Sequence, residues 1–172
     1  MREPVDESTL REFMRRIAAH ARQPGRVYLT GGASAVLRGW RSSTIDVDLT
    51  MVPENDPLLR AIPELKEALH VNVELVAPTD FIPSLPGWED RSPFIAQEGL
   101  IAFHHFDFYS QAIAKLERGH RKDRADVNAM IRDGLVDRRK LLQLFRQIEP
   151  DLYRYPAVDP ATLRRAVEEV AQ

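Results

Sequence analysis

Two consecutive glycines, Gly31 and Gly32, are the feature that most constrains how this chain can fold. They follow a strand-like run at residues 26–30 and precede a helix-like run at residues 33–38, which Gly39 closes. Glycine lets the backbone approach a phosphate closely, and the free N–H groups at a helix start point towards such an anion. The order strand, glycine turn, helix therefore predicts an α/β unit whose turn can hold a phosphate.

The predicted strand that follows, residues 44–52, carries two carboxylates on one face. Side chains alternate along a strand, so Asp46 and Asp48 point away from the apolar residues between and beside them. Two neighbouring like charges are unfavourable unless a hard cation neutralises them, and Mg²⁺ binds carboxylates together with substrate phosphates. Alone, either motif is also compatible with an ordinary turn or an exposed strand end. Together, in one strand–helix–strand unit, they indicate a metal and phosphate site.

Hydrophobic periodicity and proline or glycine stops predict the other elements. These are helices at 10–21 and 57–69, a strand at 71–76, a proline-rich loop at 77–93, a hairpin at 94–106, helices from Tyr109 to Ile148, and a last helix from Pro160. The predicted architecture is an α/β core with a short mixed sheet and helices, residues 1–107. A helical C-terminal part, residues 108–172, is expected to close the cleft within one compact unit.

Composition narrows the chemistry and the location. The chain has 172 residues and no cysteine, which excludes disulfides, thiolate metal sites and thiol nucleophiles. No apolar run approaches the roughly 20 residues that span a bilayer, and the start has no export segment. We therefore expect a cytoplasmic protein with no membrane partner, whose metal ligands are oxygen or imidazole.

The charges are unevenly distributed along the chain. Residues 45–107 carry 12 acidic and 3 basic side chains, whereas residues 1–44 carry 4 acidic and 8 basic, and residues 108–154 carry 7 acidic and 11 basic. This distribution can hold cations beside a polyanion, although solvated charged faces have the same composition.

A family resemblance rests on three short motifs: Gly31-Gly32-Ala33-Ser34, Arg41 with Thr44, and Asp46-Val47-Asp48-Leu49. Together they resemble the signature of the DNA polymerase β-like nucleotidyltransferases, over roughly residues 26 to 76. The resemblance implies a nucleotidyltransferase fold in which the glycine turn and Ser34 hold a triphosphate. It also implies that Asp46 and Asp48 bind two Mg²⁺ or Mn²⁺ ions.

Two further residues have roles that the resemblance leaves open. Glu74 matches the third acid of the metal site and is either a ligand or a base; the alternative is a solvated acid on an edge strand. Arg41 is expected either to contact phosphate or to cap the preceding helix.

The second half of the chain is similar to the AbiEii-type branch of that superfamily, whose members include toxins of toxin–antitoxin pairs. The similarity covers residues 111–118 and 121–127. It implies that Lys115 meets phosphates, that Asp123 orients this lysine or the acceptor, and that Asp126 is a second acid. Exposed ion pairs on a helix surface are the alternative.

The histidines and the missing motifs carry less information. His104 and His105 are adjacent, so on a strand they point to opposite faces and are expected to be structural or exposed rather than joint metal ligands. The absence of Gly-x-Ser-x-Gly, His-Glu-x-x-His and P-loop motifs disfavours hydrolases, zincins and kinases.

These inferences predict a metal-dependent nucleotidyltransferase. An NTP is expected to give its nucleoside monophosphate to an acceptor hydroxyl, with release of pyrophosphate. The acceptor is an RNA such as tRNA, or a partner protein, and a cognate antitoxin is a further expected partner. The alternative is a non-catalytic nucleotide-binding or regulatory module that keeps the fold.

Overall fold

The computed structural model of the protein describes residues 3–172. The chain forms two compact units. Unit 1 comprises the chain up to Ala77 together with Pro93–His105, and unit 2 comprises Pro78–Ser92 and Phe106–Gln172.

Unit 1 contains a mixed five-stranded sheet. Its strands are β1 (Gly25–Thr30), β2 (Asp46–Met51), β3 (Asn72–Leu75), β4 (Phe94–Glu98) and β5 (Ile101–His105). They lie in the order β3-β2-β1-β5-β4. The pairs β1/β2 and β4/β5 are antiparallel, whereas β1/β5 and β2/β3 are parallel.

Three helices of unit 1 share a hydrophobic core with one face of the sheet. They are α1 (Glu7–Ala18), α2 (Gly31–Arg38) and α3 (Asp56–Leu69). Each buries an apolar stripe in one cluster with the alternate, inward-facing residues of the strands. Asp6 caps α1 by accepting a hydrogen bond from the Thr9 N–H. The predicted α/β class with a mixed sheet is confirmed.

Unit 2 is helical, with α4 (Phe108–Arg118), α5 (Arg121–Arg132), α6 (Arg138–Ile148) and α7 (Pro160–Ala171). Two short 3₁₀ segments, Pro78–Asp80 and Glu149–Arg154, complete it. None of the helices in residues 3–172 is both long and apolar enough to cross a membrane.

The proline-rich segment belongs to unit 2, which differs from the predicted boundary. The sequence places residues 77–93 in a core that ends at residue 107, within a single compact unit. In the structure, the Arg91 guanidinium forms an ion pair with the buried Asp107, Nη2 to Oδ2 at 2.9 Å. The Trp88 ring stacks on Phe106 at 4.3 Å between centroids. These contacts attach the segment to the start of α4, and neither is visible as a local pattern.

Candidate functional site

The polar face of β2 carries both predicted carboxylates. Val47, Leu49 and Met51 are buried, whereas Asp46 and Asp48 alternate with them on the other face and are only partly buried. The alternation that predicted this strand is therefore present.

The neighbouring strand adds a third acid and an amide to the same face. β3 pairs with β2 so that Asp48 is the register partner of Glu74, and Asp46 that of Asn72. Register partners in a sheet point to the same side. The Asn72 Nδ2 donates a hydrogen bond to the Asp46 Oδ1 at 2.7 Å, which fixes that carboxylate. Asn72 was not predicted, although its two-residue spacing from Glu74 places it on the same face.

The donor set fits a cation bound by two aspartates better than one bound by three acids. Among residues 3–172, no group of three or more His, Cys, Asp or Glu side chains is arranged to hold a metal ion. Mg²⁺ in nucleotide sites commonly uses one or two carboxylates and takes its other ligands from phosphates and water. Asp46 and Asp48 fit that requirement. Glu74 is exposed, and its part in metal binding stays a prediction.

The glycine turn lies directly against Asp48. Gly31 has a φ of +61°, and a Cβ added to it would lie 2.8 Å from the Asp48 Oδ2. A Cβ on Gly32 would lie 2.0 Å from the Thr44 Oγ1 and 3.6 Å from the Arg41 Nη1. Any side chain at either position would displace a site residue, so both glycines are required by close approach. The turn, Arg41 and Asp48 thus lie close together, and their binding of phosphate and metal stays a prediction.

Ser34 lies in an environment that differs from the expected one. Its side chain is fully buried, and its hydroxyl donates to the Leu29 carbonyl at 3.1 Å. Three residues into α2, the helical turn points this side chain into unit 1. Ser34 is therefore an internal packing residue, and its predicted contact with phosphate is not supported.

The two histidines separate as expected. The His105 Nδ1 lies 3.0 Å from the Ser34 Oγ, and in the tautomer with a proton on Nδ1 it donates to this oxygen while the Ser34 hydroxyl donates to the Leu29 carbonyl. The His104 ring instead lies 5.6 Å from both the Tyr28 and the Phe94 rings.

His105 makes stability sensitive to acid. Burial lowers the pKa of His105 to about 3, and the positive charges of Arg38 and Arg11 contribute. Below about pH 6.5 the His105 imidazole binds a proton in the unfolded chain but stays neutral in the folded protein. The free energy of unfolding should therefore fall by up to about 1.4 kcal/mol per pH unit as the pH decreases. Urea unfolding at neutral and mildly acidic pH measures the decrease. His105→Gln keeps a donor for Ser34 and should remove this part of the slope; an unchanged slope would contradict the assignment.

In unit 2, the predicted charged residues form a buried cluster between α4 and α5. The Lys115 Nζ lies 2.8 Å from the Asp126 Oδ2 and 3.7 Å from the Asp123 Oδ1. Lys115 is 8% exposed, Asp123 0% and Asp126 2%. The alternative of solvated ion pairs on a helix surface is therefore wrong. Asp126, rather than Asp123, is the nearest partner of the lysine.

Asp123 is held mainly by an arginine that was not predicted. The Arg118 Nε and Nη2 donate to its two oxygens at 2.8 and 2.6 Å. Burial acts to raise the pKa of Asp123, but the hydrogen bonds and charge of Arg118, with the charge of Lys115, hold that pKa below its ordinary value. The backbone N–H of His120 also donates to this carboxylate, which closes a capping box at the start of α5.

Comparison with known proteins identifies a family that matches this chain. A family model described as "Nucleotidyltransferase of unknown function (DUF6036)" matches residues 8–159. Among curated proteins and solved structures, no match to the chain was found.

Proposed function

The chain belongs to this family of nucleotidyltransferases, and on that premise we propose that it transfers a nucleoside monophosphate from an NTP to an acceptor hydroxyl. The observation that carries the proposal is the close approach of the Gly31 backbone to the Asp48 carboxylate. This approach supports a proposal in which a phosphate-binding turn and a pair of metal-binding carboxylates act together in unit 1.

Each residue of this site has a proposed task. The backbones of Gly31 and Gly32 bind the phosphates, and Arg41, beside Gly32, neutralises part of their charge. Asp46, held by Asn72, and Asp48 would hold Mg²⁺ or Mn²⁺, which supplies charge neutralisation and alignment of the phosphates.

The proposed transfer step is an in-line displacement at the α-phosphorus. The acceptor oxygen forms a bond to the α-phosphorus while the bond from that phosphorus to the bridging oxygen breaks, and pyrophosphate leaves. The hydroxyl proton requires a base. Glu74, the exposed register partner of Asp48, is the carboxylate proposed to take it.

We do not assign Lys115 to the phosphates or Asp123 to the acceptor. The charge of Lys115 is already matched by Asp126 and Asp123 in a buried cluster. The proposed task of this cluster is to fix α4 against α5.

Labelled nucleotides test the proposal. With an NTP labelled at the α-phosphate, the label should appear on the acceptor; with the label at the γ-phosphate, it should appear in pyrophosphate. Label in inorganic phosphate would indicate hydrolysis instead. Metal-dependent NTP binding without either product would favour the alternative, a non-catalytic nucleotide-binding or regulatory module.

Gly31→Ala tests the turn against a matched control. The alanine methyl would meet the Asp48 carboxylate at 2.8 Å, so transfer should fall at least about tenfold, for a loss of about 1.4 kcal/mol. Gly99→Ala carries a similar backbone cost, because Gly99 has a φ of +56°, but an added Cβ there meets nothing within 4 Å. Thermal unfolding and transfer rates are measured for both variants. Equal activity in the two variants would remove the turn from the site.

We also propose that the protein is the toxin of a toxin–antitoxin pair. The likeness of residues 111–127 to the AbiEii-type branch supports a toxin role with a cognate antitoxin in the cytoplasm. Expression of the protein with and without the product of an adjacent small reading frame tests this role. Growth arrest that the second product relieves is the expected result, and arrest should require Asp48.

A further inference from the structure

The turn between α4 and α5 concentrates positive charge at the surface of unit 2. Within residues 118–124 the exposed basic side chains are Arg118, Arg121, Lys122 and Arg124, and His120 is exposed as well. The acid of this segment, Asp123, is buried. We call these five exposed residues the cationic turn.

One arginine of the cationic turn is held in place from the protein interior. Arg118 donates two hydrogen bonds to Asp123, whose side chain is 0% exposed, while the Arg118 side chain is 61% exposed. A planar guanidinium fixed in this way loses less conformational entropy when it binds an anion than a mobile side chain does. Arg118 therefore presents its remaining N–H donors in a fixed orientation at the surface, while Asp123 balances its charge.

The other cations of the turn retain their charge for a partner. Among residues 3–172, Arg121 and Lys122 take part in no ion pair. Arg124 pairs with Glu169 at 3.4 Å, but the two side chains are 49% and 62% exposed, which makes the pair weak.

The chemistry of the turn favours a phosphate backbone over a protein partner. Protein interfaces are centred on buried aromatic and apolar side chains. Residues 118–124 expose no large apolar side chain, since the exposed ones in the described chain all lie elsewhere. Binding to a nucleic acid backbone needs only correctly spaced cations, and arginine is well suited to contact phosphate.

We propose that the cationic turn binds the sugar-phosphate backbone of the acceptor, and that this acceptor is an RNA. The role of this RNA as acceptor rests on the proposed transfer reaction, whereas RNA binding by the cationic turn does not. Arg118 provides the oriented contact, and Arg121 and Lys122 add the electrostatic attraction.

The test measures the binding of a short fluorescein-labelled RNA hairpin by fluorescence anisotropy at several salt concentrations. Arg121→Gln/Lys122→Gln should weaken binding about tenfold at low salt and lower the slope of log K against log salt by about 1.4 to 1.8, for two lost phosphate contacts. This variant should stay folded, because both residues are exposed and cations in the first helical turn oppose the helix dipole.

Arg139→Gln/Arg146→Gln is the matched control. It removes two exposed cations from α6 in the same unit and should leave the affinity and the slope close to wild type. An equal loss in both variants would show general charge attraction and overturn the proposal. Binding of poly-glutamate in preference to RNA would also overturn it, in favour of an acidic protein partner.

The two proposals can fail separately. RNA binding that depends on Arg121 and Lys122, with no transfer of label from any NTP, would keep the cationic turn and reject the reaction. Transfer of label to a protein acceptor, with RNA binding unaffected by the double substitution, would keep the reaction and reject the turn.

Discussion

Asp48→Asn should reduce nucleotidyl transfer on the order of a thousandfold or more, since losing one metal-binding carboxylate removes about 4 kcal/mol of transition-state stabilisation. Asparagine keeps the shape of the side chain beside Gly31 but removes its charge. The fold should be retained or slightly stabilised, because two like charges on β2 no longer repel each other. Initial rates with an α-labelled NTP, together with the urea midpoint, measure both effects.

Glu64→Gln controls for the lost charge. Glu64 is an exposed acid on α3 of the same unit and has no proposed role, so its substitution should leave transfer unchanged. A folded Asp48→Asn protein with wild-type rates would remove Asp48 from the reaction. Loss of the fold would instead make the aspartate pair structural.

Two local elements of unit 1, β2 and α3, were predictable because each has a one-sided apolar pattern. Residues 44–52 were expected as a strand and β2 spans Asp46–Met51, whereas residues 57–69 were expected as a helix and α3 spans Asp56–Leu69. In both, tertiary burial selects the face that the sequence pattern marks, so local and global preferences agree.

The arrangement of the strands was less accessible. The hairpin of β4 and β5 was predicted, but β5 lies next to β1 and parallel to it, with β4 at the edge. Parallel pairing joins residues far apart in sequence and has no turn signature. The grouping of residues 78–92 with the helices has the same origin, because the Arg91–Asp107 pair spans sixteen positions.

Within the candidate site, the sequence identified the backbone geometry more reliably than the side-chain partners. Gly31 and Asp48 meet because strand, turn and strand have fixed geometry. The direction of the Ser34 side chain depends on how the short helix α2 is rotated about its axis. The position of Ser34 shortly after the two glycines does not determine that rotation. Arg118 was not predicted, because its pairing with Asp123 depends on the packing of α4 on α5, which buries that aspartate.

Breaking the buried cluster of unit 2 should strongly destabilise that unit. Lys115→Ala would leave Asp126 buried without its ammonium partner, and breaking a buried pair in this way costs about 3–5 kcal/mol. This is a large share of the roughly 5–15 kcal/mol that holds a typical domain folded. The shift should be visible in the urea midpoint.

Two further variants separate burial from charge. Arg124→Gln breaks the exposed pair with Glu169 and should cost less than about 1 kcal/mol. Lys115→Met/Asp126→Leu removes both charges and restores apolar packing, so it should recover most of the stability that Lys115→Ala loses, because matched apolar residues often replace a buried ion pair without penalty. If the double variant were as unstable as Lys115→Ala, the lysine would stabilise unit 2 through contacts other than the pair. If Lys115→Ala cost no more than Arg124→Gln, the lysine would not be buried between α4 and α5 in solution.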